Sequence, residues 1–467
     1  MYTSYRIEEL DRIFSVKRSV YFIGIGGISM SSLAHIALEH GCRVGGYDRT
    51  PSSLTKALEA SGAEIFYEIS PDHLDTYDVI VYTAAIKPDH PELARALACD
   101  GDGSKFCVYR ADFLGWLMSA YENRIGVSGM HGKSTTTSMI AQIFLTAERD
   151  PTIVSGAELD AIGGAYRVGS HRDFIMEACE YQDSFLSFTP NIAVVLNIDL
   201  DHLDYFSGLE QILSSFSKYL AIASDGYAVL NADSDNVLTA ADGYRGKKIT
   251  FALDRDADYT AENLTFDHGR ASFSLLRRGE KLADIKLKVA GRHCVSDALA
   301  AAAVADLCGI PAEKIAEGLA AFTGAKRRME FRGRVKGLSS GAEDVPLYDD
   351  YAHHPTEIKA TLSAASELGY ERVFAVFQPH TYSRTAELFD EFACAFRSVH
   401  AVFADIYAAR EINTFGVSSE KLAKAAGGLY FDSFEKIADY LKSELRTGDL
   451  LLIMGAGDII GIDRYLL

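Results

Sequence analysis

Short apolar runs alternate with helix-patterned stretches along the whole chain, and that alternation leaves few folds open to it. SVYFIGI (19–25), DVIVYTA (78–84), RIGVS (124–128), DFIMEA (173–178), NIAVVLN (191–197), RVFAVFQ (372–378) and DLLLIM (449–454) each read as a buried strand. Between them lie stretches such as SMIAQIFLTA, with Met139, Ile140, Ile143 and Phe144 on one helical face. The pattern predicts an α/β protein with mostly parallel sheets. One segment departs from it. Residues 263–291, NLTFDHGRASFSLLRRGEKLADIKLKVAG, alternate with turns and predict antiparallel hairpins appended to a sheet.

A chain of 467 residues leaves room for several domains. Three blocks follow from the pattern. The first opens with a strand and glycine turn near residue 20, and the second with a Lys-Ser turn near 130. The third follows the basic, glycine-bearing stretch GAKRRMEFRGR (324–334).

The net charge of −19, from 46 basic and 65 acidic residues, argues against nucleic acid or an anionic membrane as partner. Seven cysteines at 42, 99, 107, 179, 294, 308 and 394 form no C-x-x-C or other metal spacing, as expected of reduced cytoplasmic thiols. MYTSYRIEELDRIF lacks the basic-then-apolar order of a secretory signal, and no apolar run is long enough to predict a membrane span.

YFIGIGGISMSSLAHIALEHG places Gly24, Gly26 and Gly27 between a strand and a helix, with Gly41 to end the helix. Such a turn lets backbone N–H groups approach a diphosphate, and Asp48 follows the next short strand where a ribose contact would lie. Ser29 replaces the third glycine of G-x-G-x-x-G.

The second turn is GMHGKS. The strict G-x-x-x-x-G-K-[ST] pattern fails because Val127 stands at its first glycine. Gly129, Met130, His131 and Gly132 still form a compact loop from strand to helix. Lys133 can reach terminal phosphates, the Ser134 hydroxyl can hold Mg²⁺, and Thr135 adds a hydroxyl in the first helical turn. Two acidic strand ends offer further metal ligands: Glu177 in DFIMEACEYQDSF, and Asp199, Asp201, His202 and Asp204 in NIAVVLNIDLDHLDYF. From these, Ser134, Glu177 and His202 form the expected metal set.

The third block carries LYDDYAHHPTEIKATL (347–362) and FQPHTYSRTAELFDEF (377–392). In each an apolar strand runs into polar residues: Tyr351, His353 and His354 in the first, with Thr356 as helix cap, and His380 and Arg384 in the second. Ligands of open α/β sheets bind just past strand C-termini, and His and Arg there suit carboxylates and phosphates.

Together these motifs resemble the Mur ligase family, in family order over nearly the whole chain: GIGGISMS, AAIKPDHPE, GMHGKSTTTSM, EACEYQDSF, NIDLDHLDYF, GRHCVSDALAAAAVA, FTGAKRRMEFRG, DDYAHHPTEIKA, FQPHTYSRT, DIYAAREI and MGAGDI. The resemblance implies a three-domain α/β enzyme. A Rossmann-like domain (1–105) would bind a UDP-sugar through Gly24, Gly26, Gly27 and Asp48. A P-loop-type ATPase domain with appended β-hairpins (106–325) would follow, and a Rossmann-like amino-acid-binding domain (326–467) would close it.

ATP would contact residues 129–135 together with His293, Asp297, Arg327 and Tyr351. Arg328 matches the second of the family's arginine pair. His353, His354, His380 and Arg384 would serve the amino acid or an acyl phosphate, with Lys133, His353 and Arg384 catalytic. The DDYAHHPTE and FQPHTYSRT pair implies the branch that joins L-alanine to UDP-N-acetylmuramate at the expense of ATP, with Mg²⁺, in the cytoplasm, as monomer or homodimer. Departures are Met130 and Ser134 for threonines, Cys294 and Asp297 for asparagines, and Thr381 for arginine. Three alternatives remain: a tripeptide-recycling ligase on the same acceptor, a non-catalytic nucleotide binder, and a nicotinamide dehydrogenase suggested by GIGG alone.

Overall fold

The computed structural model describes residues 5–83, 85–102, 104–202, 205–342, 344–409 and 411–467. Ala84 and Asp204, read above within motifs, lie outside the described residues. The chain forms two compact units, Met1–Asp199 with Glu210–Ile249, and Leu200–Leu209 with Thr250–Leu467.

The first unit holds a five-stranded sheet of β1 (Ser19–Ile23), β2 (Arg43–Tyr47), β3 (Glu64–Phe66), β4 (Val79–Tyr82) and β5 (Phe106–Tyr109). Its order is β3-β2-β1-β4-β5, and every pairing is parallel. The same unit holds β6 (Asn123–Ser128), β7 (Thr152–Leu159), β8 (Gly164–Arg167), β9 (Asp173–Glu177), β10 (Ile192–Val195) and β11 (Tyr227–Asn231). These run β11-β10-β6-β9-β7-β8, parallel except for the edge pair β7–β8. β4 and β10 are buried at every residue, which is why they read as unbroken apolar runs. The helix Arg110–Ser119 lies so close to the segment Tyr181–Ser187 that a Cβ on Gly115 would stand 1.9 Å from the Ser187 carbonyl oxygen.

β12 (Lys247–Ala252) carries the chain into the second unit. There its last residues pair with β13 (Tyr259–Asp267), which continues antiparallel into β14 (Arg270–Arg277) and β15 (Glu280–Ala290), the expected hairpins. The last sheet is built from β16 (Glu330–Arg334), β17 (Pro346–Asp350), β18 (Arg372–Phe377), β19 (His400–Phe403), β20 (Leu429–Tyr430) and β21 (Asp449–Met454), in the order β16-β17-β21-β18-β19-β20. Only β16 is antiparallel to its neighbour. It is the strand hidden in the basic stretch after Gly324. Among the described residues no helix is long and apolar enough to cross a membrane.

Candidate functional site

The second glycine turn takes the shape its residues allow. β6 ends at Ser128, Gly129 and Gly132 adopt φ of 143° and 83°, and the helix Lys133–Thr146 starts at once. Those angles are strained for any side chain with a Cβ, which accounts for both glycines. Asn197, just past β10, clamps the loop. Its side-chain oxygen accepts from the His131 N–H at 2.8 Å, and its amide donates to the His131 carbonyl at 2.9 Å. His131 also lies 3.6 Å from Asp199. The Met130 side chain is buried and Thr135 is half-buried in the first turn.

The Lys133 ammonium folds back over the loop. It donates to the Gly129 and Met130 carbonyls at 2.5 and 3.2 Å and pairs with the fully buried Glu180 at 2.9 Å. Burial works against its charge, but Glu180 outweighs that and holds its pKa above the ordinary lysine value. The adjacent Glu177 is already engaged. Oε1 accepts from Ser155 Oγ (2.8 Å) and the Gly156 N–H (2.7 Å), and Oε2 accepts from Ser134 Oγ (3.1 Å). Ser134 and Glu177 of the expected metal set therefore meet. His202, the third member, belongs to the other unit. Among the described residues no group of three or more His, Cys, Asp or Glu forms a metal cluster. The donors at Ser134, Glu177 and Glu180 are all oxygens, the chemistry Mg²⁺ prefers, and Mg²⁺ takes much of its shell from water and phosphate.

In the first turn Gly24 has φ of 83°, and the Gly27 N–H donates to the Gly24 carbonyl. Asp48, expected as the ribose contact, accepts the Gly26 N–H through Oδ2 at 2.7 Å.

In the second unit the predicted residues gather past the C-terminal ends of β17 and β18. Arg327 donates to Asp349 (2.9 Å) and to the Gly455 carbonyl (2.7 Å), and lies 5.0 Å from the Tyr351 ring centroid, with Arg328 at 5.5 Å. The His353 ring meets Tyr351 and His380 edge-on at 5.3 and 6.0 Å. Its Nδ1 is 3.0 Å from the Tyr351 carbonyl, which can only accept, so Nδ1 carries the proton and Nε2 keeps its lone pair. Burial dominates its pKa, pulling it down to about 4, with Glu357 opposing and Arg384 assisting. His354, not Thr356, caps the following helix, its Nδ1 accepting from the Thr356 N–H at 3.3 Å.

Arg384 donates through Nε (3.4 Å) and Nη2 (3.1 Å) to Asp201 Oδ1, which also accepts the His202 N–H at 2.7 Å. Asp201, read from sequence as part of an acidic metal-binding strand end, is thus an ion-pair partner. Thr381, with φ of 68°, begins the helix that carries Arg384.

His293 opens the helix Arg292–Leu307 and lines a cavity of about 290 Å³ with Leu253, Arg292, Ala360, Ser363 and Ala364. Loss of water in this cleft, then the Arg328 charge, pull its pKa down to about 4. Asp297, one turn on, is buried and outside that lining.

Glu180 and Asn197 escaped the sequence reading. Glu180 sits three residues past Glu177 in a quoted motif, so the doubled acid was its only signal.

Comparison with known proteins covers nearly the whole chain. Residues 19–122 match the Mur ligase family catalytic domain, 127–305 the Mur ligase middle domain, and 327–457 the Mur ligase glutamate ligase domain. A UDP-N-acetylmuramate–L-alanine ligase of Clostridium novyi is 45% identical over 457 residues, covering 96% of this chain and 97% of its own. The ligase of that name from Agathobacter rectalis is 44% identical over 463 residues, covering 97% and 98%. Among solved structures, the UDP-N-acetylmuramate–alanine ligase of Thermotoga maritima superposes with a TM-score of 0.75 at 25% identity, covering 96% of this chain and 97% of that one. A murein peptide ligase from Psychrobacter arcticus shares the fold, with a TM-score of 0.67 at 24% identity over 96% and 97%. With identity of this order along nearly its whole length, the chain belongs to the Mur ligase family.

Proposed function

We propose that the chain is an ATP-dependent ligase that joins L-alanine to the carboxylate of UDP-N-acetylmuramate during peptidoglycan precursor synthesis. The observation that carries this reading is the full-length likeness, at 45% identity, to a ligase of that name. The Lys133 loop with its three oxygen donors supports the nucleotide half independently. In this reading residues 1–105 bind the UDP-sugar, 106–325 bind ATP and 326–467 bind the amino acid, in a cytoplasmic monomer or homodimer.

A carboxylate resists attack by an amine because of its negative charge. Activation removes that obstacle. A carboxylate oxygen of the acceptor bonds to the γ-phosphorus as the bond to ADP breaks, giving an acyl phosphate. The alanine nitrogen then bonds to the activated carbonyl carbon, phosphate departs, and the amine loses a proton. Lys133, released from Glu180, screens the transferring phosphoryl group, and the loop amides hold the phosphates. Mg²⁺, held by Ser134, Glu177 and Glu180, would supply further charge screening. Arg384 and His380 receive the alanine carboxylate or the acyl phosphate. Tyr351, flanked by Arg327 and Arg328, lies beside the adenine, and His293 and Asp297 stand where the base is held.

With its pKa near 4, His353 is neutral at working pH and too weak a base to drive deprotonation. Its Nε2 lone pair instead orients the ammonium or amine. His353→Ala is expected to lower kcat by about 10²-fold with KM for ATP unchanged. The rate between pH 6 and 9 should show no inflection of its own from this ring. An inflection near pH 6.5 that vanishes in the variant would make it the base instead.

The direct test is phosphate release from MgATP with UDP-N-acetylmuramate, with and without L-alanine. Release requiring both, with a product one alanyl unit heavier, is the expected result. Release with a preformed tripeptide but not with alanine would identify the recycling ligase. ATP binding without release under either condition would favour a non-catalytic binder.

A further inference from the structure

Past β19, the segment DIYAAREI (405–412) meets FQPHTYSRT at two points. At the first, the Tyr407 N–H donates to the Pro379 carbonyl at 2.8 Å and the Thr381 N–H donates to the Tyr407 carbonyl at 2.9 Å, so His380 and Tyr407 pair as a parallel bridge. The Tyr407 ring stacks on the His380 imidazole with centroids 5.6 Å apart. At the second, Glu411 takes both donors of Ser383. Its Oε1 accepts from Ser383 Oγ at 2.5 Å, and its Oε2 accepts from the Ser383 N–H at 2.9 Å. All of these residues belong to the second unit.

The helix that carries Arg384 cannot hold its own start. Tyr382–Glu387 is six residues long, too short to be stable alone, and Thr381 gives it no side-chain cap. Thr381 has φ of 68° and ψ of 148°, a conformation that is costly for a residue with a Cβ and survives only where its surroundings fix it. Arg384 Nη1 stands 3.5 Å from His380 Nδ1, so guanidinium and imidazole flank the same strained turn. Asp201 holds the guanidinium but does not touch the backbone beneath it. Glu411 bonds that backbone directly. Burial works to raise its pKa, but the Ser383 hydroxyl and then the Ser383 and Tyr382 N–H groups outweigh that and hold it below the ordinary glutamate value. It is therefore an ionised acceptor at neutral pH, the strongest kind for an uncapped helix start.

We propose that Glu411 is a positioning residue for the ligation: it fixes the turn from Thr381 to Ser383 and so places His380 and Arg384 where the amino acid meets them. The inference rests on the ligase reading above and deepens it. Glu411 acts through Arg384 rather than on a substrate. A carboxylate suits the task because its two oxygens accept the two donors of one residue, whereas an amide offers a single oxygen.

The test is steady-state alanine kinetics and thermal melting for wild type, Glu411→Ala and Glu411→Gln, with Glu411→Ala made also in the Arg384→Met background. Glu411→Ala should lower kcat/KM for alanine on the order of 10-fold, with KM for ATP and the melting temperature unchanged. Glu411→Gln should recover part of the loss. Ser383→Ala, which removes one donor and leaves Glu411 in place, should reproduce part of it. In the Arg384→Met background Glu411→Ala should cost less than about twofold more, because its effect runs through the missing guanidinium. Loss by the same factor in both backgrounds would separate Glu411 from Arg384 and overturn the proposal. So would equal rises in KM for ATP and alanine with a lower melting temperature, which would make the residue merely structural. Wild type that ligates alanine no faster than Glu411→Ala would sink this inference and leave the ligase reading standing. Wild type that turns over no alanine would sink both.

Discussion

Lys133→Met is expected to slow phosphate release at least about 10³-fold, the scale set by removing a charge aimed at a transferring phosphoryl group. UDP-sugar binding should survive, since the first glycine turn does not use Lys133. The same change should also destabilise the fold. The Lys133 ammonium pairs with Glu180, whose side chain is 1% exposed. Methionine keeps the length and leaves that carboxylate buried without its counter-charge, at a cost of about 3–5 kcal/mol.

The pH dependence gives the sign. The penalty belongs to the charged carboxylate and falls as acid protonates it, so acidification from pH 7.5 to 5 should narrow the gap to wild type. Adding Glu180→Gln should restore most of the stability and none of the activity. Denaturant unfolding at both pH values and a phosphate-release assay read the two effects separately. A double variant no more stable than the single one, or a single variant within tenfold of wild-type activity, would refute this account of the pair.

The part of this site that was legible in the sequence is the part whose physics is local. Gly129 and Gly132 announce themselves because their backbone angles exclude other residues, and β4, β10, β18 and β21 because burial on both faces leaves them apolar apart from Arg372 and Asp449, the first residues of β18 and β21. β16 was not legible. Glu330–Arg334 is a half-exposed edge strand made by antiparallel pairing with β17, and its sequence, EFRGR, carries charge and a glycine at φ of 150°. Glu180 and Asn197 act across 47 and 66 residues on Lys133 and His131, a distance no spacing rule spans. The cap at His354 was missed for a different reason. Imidazole is not among the preferred capping groups, and Thr356 satisfied the local expectation while its own N–H was the donor.

Arg384→Met should produce the other large effect, through Asp201. Burial alone would raise the Asp201 pKa. Arg384 first, then His202 and His354, reverse that and hold it well below the usual carboxylate range. A depressed folded pKa contributes stability that is present above the unfolded value near 3.9 and is lost as pH falls toward the folded one. Wild type should therefore carry this contribution at neutral pH and surrender it below about pH 4. The variant should be less stable by about 3–5 kcal/mol at pH 7, with the difference shrinking in acid. Asp201→Asn in the Arg384→Met background should recover stability, because an amide tolerates burial without a counter-charge. For catalysis the two residues separate. If Arg384 meets the substrate and Asp201 only holds it in place, Arg384→Met should cost about 10²-fold or more in kcat/KM for alanine. Asp201→Asn alone should cost much less, and Arg384→Lys should fall between, since lysine keeps the charge but loses the planar fork. Equal losses in Asp201→Asn and Arg384→Met would instead place the carboxylate itself among the groups that touch substrate or metal. Paired urea titrations at pH 7 and pH 4, run beside alanine kinetics on the four variants, decide between these outcomes.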